Sequence, residues 1–274
     1  MDKRFSYPSS PGNGKGLDGT MQYTAELSAA VKNHPYKLLF ATVSGAHLYG
    51  FSSPDSDFDL RGAHILPIAK LIGFEVQDET IEVSKIDKTI ELDMVSHDIK
   101  KFFSLMLKPN GYVLEQLYSP LIVHTSSEHD ELKELGKGCI TVHHSHHYLG
   151  FSANQWKLFE NLETKKVKPL LYVFRVLLTG IHLMRTGQIE ANLGILNQQF
   201  KLSYIEELIN YKANSREKAT LPNNDIKFYG GEYQRLRKIL EEETAVSKLP
   251  STLQTDHTIK PALEDLLIRL RLSS

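Results

Sequence analysis

The chain is organised around the stretch Gly45-Ala46-His47-Leu48-Tyr49-Gly50-Phe51-Ser52-Ser53-Pro54-Asp55-Ser56-Asp57-Phe58-Asp59-Leu60-Arg61-Gly62. This pattern indicates a glycine-containing turn, a loop, and two carboxylates spaced Asp-x-Asp at the head of a strand. Because side chains alternate faces along a strand, Asp57 and Asp59 are expected to point the same way. Two adjacent like charges repel each other unless a cation lies between them, and carboxylate pairs suit Mg²⁺. A solvated turn or strand edge is the alternative interpretation.

An apolar run precedes this stretch. Residues 37–43, Lys-Leu-Leu-Phe-Ala-Thr-Val, have the character of a buried strand that stops at Ser44-Gly45. Glycine lets the backbone approach a ligand closely, and the N–H groups that open a helix favour a phosphate. Ser44, Gly45 and Ala46 are therefore predicted to bind nucleotide phosphates, and Ser56 is placed with them as a nucleotide-binding residue.

A third carboxylate is required if two metal ions act in a displacement at phosphorus. Residues 89–95, Thr-Ile-Glu-Leu-Asp-Met-Val, alternate so that Glu91 and Asp93 share the polar face of a strand. We favour Asp93, because the apolar pair Met94-Val95 follows it into a helix that is predicted to begin near Ser96. Periodicity alone leaves Glu91 open.

The order Gly-Ala-His-Leu-Tyr-Gly, Pro-Asp-Ser-Asp-Phe-Asp-Leu-Arg-Gly and a later strand acid resembles the nucleotidyltransferase superfamily typified by DNA polymerase beta. Within it, the Tyr-Gly and Ser-Asp-x-Asp-x-Arg-Gly segments are similar to bacterial and phage predicted nucleotidyltransferases associated with RNA repair. The motifs span about residues 37–118. The family usually has Gly-Ser where this chain has Gly45-Ala46, so a hydroxyl group expected near the phosphates is missing, although Ser44 is adjacent.

The resemblance implies an α/β nucleotidyltransferase domain, a small mixed sheet with flanking helices, followed by an all-helical domain. We expect a flexible tail over residues 1–20, the catalytic domain over 21–125, and a helical domain over 126–274 that closes the nucleotide cleft. It also implies a nucleoside triphosphate substrate and Mg²⁺, with Mn²⁺ as a possible substitute. Asp57 and Asp59 would hold one ion, and Asp93 would join them on a second ion. Arg61 would either hold their geometry or neutralise a phosphate.

One helix in the second half carries charged residues on an apolar background. Lys168, Tyr172, Arg175 and Thr179 fall at i, i+4, i+7 and i+11, which makes a single stripe. A buried helix would keep such cations only where something anionic or aqueous meets them, and a solvent-facing stripe is the alternative. In related nucleotidyltransferases, basic residues of the helical domain reach the triphosphate. The resemblance therefore assigns Lys168 and Arg175 to the triphosphate and Tyr172 to the base or sugar.

Other patterns are less specific. Helices are predicted over residues 21–33, 112–118 and 261–272, and Gly230-Gly231 is predicted to mark a turn. The cluster from His143 to His147 allows a zinc site, but no familiar ligand spacing supports one. A solvated or partly packed helix face, which could also contact phosphates, is the preferred interpretation.

Composition limits the partners and the compartment. The formal net charge of −1 gives no global attraction to nucleic acid, so an RNA acceptor would need a local basic patch. The single cysteine, Cys139, excludes an internal disulfide and is consistent with a cytoplasmic protein, in which it would be a buried apolar residue. No window approaches eighteen uninterrupted apolar residues, so no membrane span is expected.

These observations together predict transfer of a nucleoside monophosphate from a triphosphate to an acceptor hydroxyl group, on an RNA end or a protein, with release of pyrophosphate. Modification of a small molecule, such as a drug or metabolite, is one alternative. A non-catalytic nucleotide sensor or interaction module is another, which Ala46 keeps open. Retention of three clustered acids argues against the sensor, because a scaffold has no need for clustered like charge.

Overall fold

The structure is a computed structural model that describes residues 25–74, 77–86, 91–215, 219–221, 225–252 and 258–273. The predicted tail over residues 1–20 and the start of the predicted first helix at 21–24 lie outside the described residues. The elements in chain order are α1 (25–32), β1 (Lys37–Val43), α2 (Gly45–Tyr49), β2 (Phe58–Ile65), α3 (Ile68–Ile72), β3 (Thr80–Ile86), β4 (Glu91–Asp98), α4 (Ile99–Met106), α5 (Gly111–Leu117), β5 (Ile122–His124), α6 (Ser127–Lys137), α7 (His144–Asn161), α8 (Val167–Thr186), α9 (Leu193–Phe200), α10 (Ser203–Ala213), α11 (Ile226–Val246) and α12 (Lys260–Leu272).

The strands form one five-stranded mixed sheet in the order β3-β4-β2-β1-β5. Strands β2 and β4 pair in parallel, and the other neighbours pair antiparallel. The predicted fold class, a small mixed α/β sheet with flanking helices followed by a helix-rich region, is confirmed. The parallel pairing brings Asp59 of β2 directly opposite Asp93 of β4.

The sequence pattern explains the two strands that surround the site. In β1 every residue after Lys37 is buried, as expected of an apolar strand covered on both faces. Strand β4 alternates, with Leu92 and Met94 buried, Glu91 exposed and Asp93 half-buried. The predicted polar face of β4 is therefore confirmed.

Two local predictions are wrong. Helix α4 begins three residues later than expected, because Ser96 continues the buried face of β4 and its hydroxyl group is held by His34 and His64, each at 2.9 Å. Asp98 caps the helix instead, accepting from the backbone N–H of Lys100 at 3.0 Å. Gly230 lies inside α11 rather than in a turn, with Trp156 packed nearby, so tertiary packing overrides the low helix propensity of glycine.

Helix α8 is the centre of the helical region. Helices α7, α9, α10 and α11 pack around it, and Leu170, Phe174, Leu177 and Ile181 are completely buried there. By length and composition α8 could cross a membrane, but 83% of its most apolar window is buried inside the protein. It is the core helix of this region.

The two regions are joined more closely than a division near residue 125 implies. Leu132 of α6, together with Leu263 and Leu266 of α12, packs in the same core as Phe40 and Phe102 of the sheet region. Conversely, three residues of the sheet region pack in the core of the helical region. They are Leu48 and Tyr49 of α2, and Phe51 shortly after it. The motif stretch therefore lies at the junction of the sheet and the helices.

Candidate active site

Two acidic side chains lie side by side at one end of the sheet. Asp59 and Asp93 occupy opposing positions in the β2–β4 pair. Arg61 Nη2 donates to Asp59 Oδ1 at 2.7 Å and to Asp93 Oδ2 at 3.1 Å. The acids retain side-chain exposures of 30% and 40%, so a solvent-borne ligand can reach both.

Gly45 lies directly against Asp59. Its φ of +61° is in the left-handed region, and a Cβ atom added to it would lie 1.8 Å from Asp59 Oδ2. The turn is held to the strand by a hydrogen bond from the Ser44 N–H to the Asp59 carbonyl oxygen, at 2.8 Å. Only glycine fits at this position, because any side chain would displace the carboxylate.

The surroundings of Asp59 disfavour its charge. Burial raises the pKa of this carboxyl group above its usual value, and the nearby carboxylates Asp93 and Asp57 act in the same direction. Arg61 and Lys168 lower that pKa, but the net shift is upward. A site with this excess of negative charge is suited to a cation.

Asp57 precedes β2 in a loop that is anchored at several points. The backbone N–H of Ser53 donates to Ser56 Oγ at 2.9 Å, and the two hydroxyl oxygens are 3.0 Å apart. Ser53 Oγ in turn accepts from Lys212 Nζ of α10 at 2.6 Å, although Lys212 is completely buried. Ser56 therefore fixes the loop that presents Asp57, and Asp57 itself is half-buried.

A cavity of about 320 Å³ opens beside the acids, at the junction of the two regions. Its volume is near the lower limit for small-molecule sites. Of the predicted site residues, Gly45, Asp59, Arg61, Tyr172 and Arg175 line it. The other lining residues are Tyr49, Tyr112, Glu115, His147 and Phe151.

Arg175 enters this cavity as half of an ion pair. Its Nη1 donates to Glu115 Oε2 at 2.9 Å, and the two side chains are 3% and 1% exposed. The guanidinium carbon lies 3.8 Å from the centre of the Tyr49 ring. Burial disfavours the charge, but Glu115 holds the pKa of Arg175 above its ordinary value. The anion that compensates the buried charge of Arg175 is therefore Glu115, a residue of the protein itself.

The remaining predicted residues surround the site without lining the cavity. Ser44 and Ala46 are buried, and the Ser44 hydroxyl group has no hydrogen-bond partner among the described residues. Lys168 is half-buried and close enough to Asp59 to lower its pKa. Arg175 and Thr179, the last two residues of the predicted stripe, are buried, so this part of the stripe does not face solvent.

The histidine cluster divides between surface and interior. His143 and His146 are exposed, whereas His144 is buried. His147 lines the cavity and stacks against Phe151, and burial lowers the pKa of its imidazole. Among the described residues, no three side chains drawn from His, Cys, Asp and Glu are arranged to hold a metal ion.

Sequence reasoning predicted Tyr172 and Arg175 on α8 but missed two cavity residues on α5. Glu115 is an acid in the mostly apolar helix α5, a pattern that indicates a cationic partner if the side chain is buried. No sequence pattern pointed to Tyr112, whose hydroxyl group accepts from Arg61 Nε at 3.0 Å.

The residues fit a divalent cation at one place. Asp59 Oδ2 is the oxygen that Arg61 does not bind, and it packs against the Gly45 backbone, 1.8 Å from where a Cβ atom would lie. Asp57 is near enough to raise the pKa of Asp59. Oxygen ligands of this kind, completed by phosphate and water, suit Mg²⁺.

A mixed sheet with paired strand acids beside a glycine turn, followed by a helical region, defines a nucleotidyltransferase-like protein. The chain belongs to the RNA repair pathway DNA polymerase beta family, RlaP, whose model matches residues 21–269.

Several known proteins are similar to this chain. The uncharacterized protein MJ0002 of Methanocaldococcus jannaschii is 29% identical over 220 residues, which cover 77% of this chain and 86% of that protein. The uncharacterized protein YcgL of Bacillus subtilis is 25% identical over 166 residues, which cover 60% of this chain and 63% of that protein. A crystal structure of a nucleotidyltransferase-like protein from Exiguobacterium sibiricum aligns with 94% of this chain and 75% of its own, at 11% identity and a TM-score of 0.30.

Proposed function

We propose that this protein transfers a nucleoside monophosphate from a nucleoside triphosphate to an acceptor hydroxyl group in a Mg²⁺-dependent reaction. The observation that carries the proposal is the position of Asp59, in register with Asp93 and directly against the Gly45 turn. Asp57 and Asp59, two residues apart beside this backbone turn, supply the carboxylates that would hold a metal-bound triphosphate. The bond between the acceptor oxygen and the α-phosphorus forms, the bond to the β-phosphate oxygen breaks, pyrophosphate leaves, and the hydroxyl proton passes to water.

Asp57 and Asp59 would hold the cation, for which Mn²⁺ could substitute. When bound, the ion supplies positive charge that neutralises the triphosphate and polarises its oxygens. The Gly45 turn would face the phosphates through its backbone, with Ser44 and Ala46 beneath it. Lys168 would contribute a further positive charge, because it already acts on the Asp59 carboxylate.

The structure changes the role that we assign to Arg175. Together with Glu115 it forms a buried pair with no net charge, so it offers little attraction to a phosphate. We assign the triphosphate to Lys168, with Arg61 as a fixed positive charge beside Asp59. We assign the sugar or base to the wall formed by Arg175, Tyr49 and Tyr172. The T-shaped contact of Tyr49 and Tyr172, with ring centres 5.4 Å apart, gives this wall an aromatic surface.

An RNA end is the acceptor that we propose first, because the family description places these proteins in RNA repair. The cavity of about 320 Å³ is small, so a polymer would approach from outside and bind through a local basic patch. A protein hydroxyl group is the second acceptor class. A cytoplasmic location remains a prediction, consistent with the buried free thiol of Cys139.

The experiment that tests this function uses the purified chain with each of four α-phosphate-labelled nucleoside triphosphates, Mg²⁺ or Mn²⁺, and total cellular RNA, protein or a small-molecule extract. Label in RNA or protein supports the proposal and identifies the acceptor. Label in the small-molecule fraction alone would favour the drug- or metabolite-modifying alternative. The absence of label under all conditions, with the protein folded, would contradict the proposal.

A nucleotide sensor is the second candidate, favoured by Ala46 in place of the usual serine. If Ser44 and the backbone already satisfy the phosphates, Ala46→Ser should change nucleotide affinity by about 0.5–1.5 kcal/mol, the value of one hydrogen bond. An inert wild type together with an active Ala46→Ser variant would establish the sensor interpretation.

A further inference from the structure

The guanidinium group of Arg61 is held in place by hydrogen bonds from all three of its nitrogen atoms. Its Nε donates to Tyr112 Oη at 3.0 Å, and its Nη1 donates to the carbonyl oxygens of Leu60 at 2.8 Å and Asp93 at 2.9 Å. Its Nη2 donates to the carboxylates of Asp59 and Asp93. All five N–H donors of the side chain are used, and arginine does not lose its charge in proteins. Arg61 is therefore a permanent cation between the two acids.

A metal ion that bridged Asp59 and Asp93 would have to replace this cation. Mg²⁺ lies about 2.0–2.1 Å from its oxygen ligands, so an ion on the facing oxygens would collide with Nη2. Moving Arg61 aside would break five hydrogen bonds and place two cations together. The second oxygen of Asp93, Oδ1, accepts from Ser84 Oγ at 3.2 Å, so neither oxygen of Asp93 is without a protein donor.

The opposite side of Asp59 is different. Its Oδ2, which Arg61 does not bind, packs against the Gly45 backbone, and Asp57 lies on the same loop-and-strand segment. The three carboxylates outnumber the two cations that act on Asp59, Arg61 and Lys168, so the site carries a formal charge of −1 before an ion binds. Within the described part of the chain, Asp93 is not gathered with two further acids into a ligand set.

We propose that the site binds one divalent cation, on Asp57 and Asp59, and that Arg61 takes the place of a second ion. Asp93 is then a positioning residue that holds Arg61 beside Asp59, instead of a ligand shared by two ions. This inference rests on the proposed function, because it counts the ions that accompany the nucleotide. It predicts a site that is complete with one metal ion per bound triphosphate.

The test is the number of Mn²⁺ ions bound per chain, measured by electron paramagnetic resonance and calorimetry with a triphosphate analogue that has a methylene bridge between its α- and β-phosphates. Equilibrium dialysis gives the amount of Mn²⁺ that is bound to free nucleotide, and this amount is subtracted from the total. We expect one Mn²⁺ per chain in the wild type. Two ions would overturn the inference and leave the proposed function intact, whereas no ion with nucleotide present would contradict both.

Variants separate the roles of the acids. Asp93→Asn should retain one Mn²⁺ with an affinity change below about threefold, since it removes no ligand, whereas Asp59→Asn should lose the ion. Glu91→Gln, on the same face of β4 and exposed, controls for loss of negative charge alone. If Asp93→Asn lost the ion as completely as Asp59→Asn while both remained folded, Asp93 would be a ligand and the inference would be wrong.

Discussion

Arg175 and Glu115 form a buried ion pair with a nitrogen–oxygen distance of 2.9 Å in the wall of the cavity beside Asp59. The pair joins α8 of the helical region to α5, which packs on the sheet. Since neither charge reaches solvent freely, each depends on the other for its stability in the folded protein.

The first prediction follows from this pair. Arg175→Met should lower the free energy of unfolding by about 3–5 kcal/mol, because it leaves the Glu115 carboxylate buried and unpaired. The double variant Arg175→Met with Glu115→Leu should recover most of the loss, since no uncompensated charge remains. Urea unfolding of the two variants measures the difference. Equal destabilisation of both would show that the pair acts through packing alone.

A second prediction concerns Gly45. Gly45→Ala places a methyl group against Asp59 Oδ2 and puts alanine in the left-handed region, which costs about 1–2 kcal/mol by itself. We expect loss of Mn²⁺ binding in calorimetry together with a lower melting temperature. Gly150→Ala in α7, where an added Cβ meets nothing within 4 Å, is the matched control and should leave Mn²⁺ binding unchanged. Normal Mn²⁺ affinity in Gly45→Ala would remove Asp59 from the metal site.

Lys168 gives the third prediction. Lys168→Met keeps the apolar stem and removes the charge, so packing should survive. The loss of a charge-assisted interaction of about 1.5–3 kcal/mol should weaken triphosphate binding by about tenfold or more, with a smaller effect on the monophosphate. Lys157→Met, at an exposed position on α7, controls for the change in net charge. An equal loss of affinity for the triphosphate and the monophosphate would show that Lys168 does not contact the outer phosphates.

The fourth prediction concerns pH. His129 is buried, stacks on Phe40 with ring centres 4.4 Å apart, and burial lowers the pKa of its imidazole from 6.5 to about 4. The unfolded chain binds a proton at this residue near pH 6.5, and the folded chain does so only near pH 4. The contribution of His129 to the free energy of unfolding is therefore fully present above pH 6.5 and is lost as the pH decreases towards 4.

Thermal unfolding between pH 7.5 and 4.5 tests the role of His129. In His129→Gln the decrease of melting temperature on acidification should be smaller by several degrees, because the proton-binding group is absent from both states. His143→Gln, at an exposed position, is the control and should follow the wild type. Identical pH profiles for His129→Gln and the wild type would contradict this prediction.

Much of the sheet could be predicted because its signals are local. The apolar run of β1 and the alternation of Leu92, Asp93 and Met94 each identify a strand and its faces without tertiary information. The position of Ser96 could not, because its hydroxyl group is satisfied by His34 and His64, which lie far away in the sequence. A hydroxyl residue before a helical pattern looks the same whether it caps the helix or ends the strand.

The site could be predicted where it depends on one strand and not where it depends on helix packing. Asp59 and Arg61 belong to one motif, so their proximity follows from strand geometry. Glu115 and Arg175 are 60 positions apart, and their meeting depends on how α5 and α8 pack. The stripe on α8 indicated that something anionic or aqueous meets Arg175, but sequence spacing could not show that this partner was Glu115.

The most direct test of the central claim is the single-turnover rate of label transfer from an α-phosphate-labelled triphosphate, in Mg²⁺, for the wild type, Asp59→Asn and Glu91→Gln. Asp59→Asn removes a charge with little change of shape, whereas Glu91 is an exposed acid on the neighbouring strand. The account predicts that Asp59→Asn reduces the rate by about a thousandfold or more while Glu91→Gln retains it. Near-normal transfer by a folded Asp59→Asn protein would contradict the account.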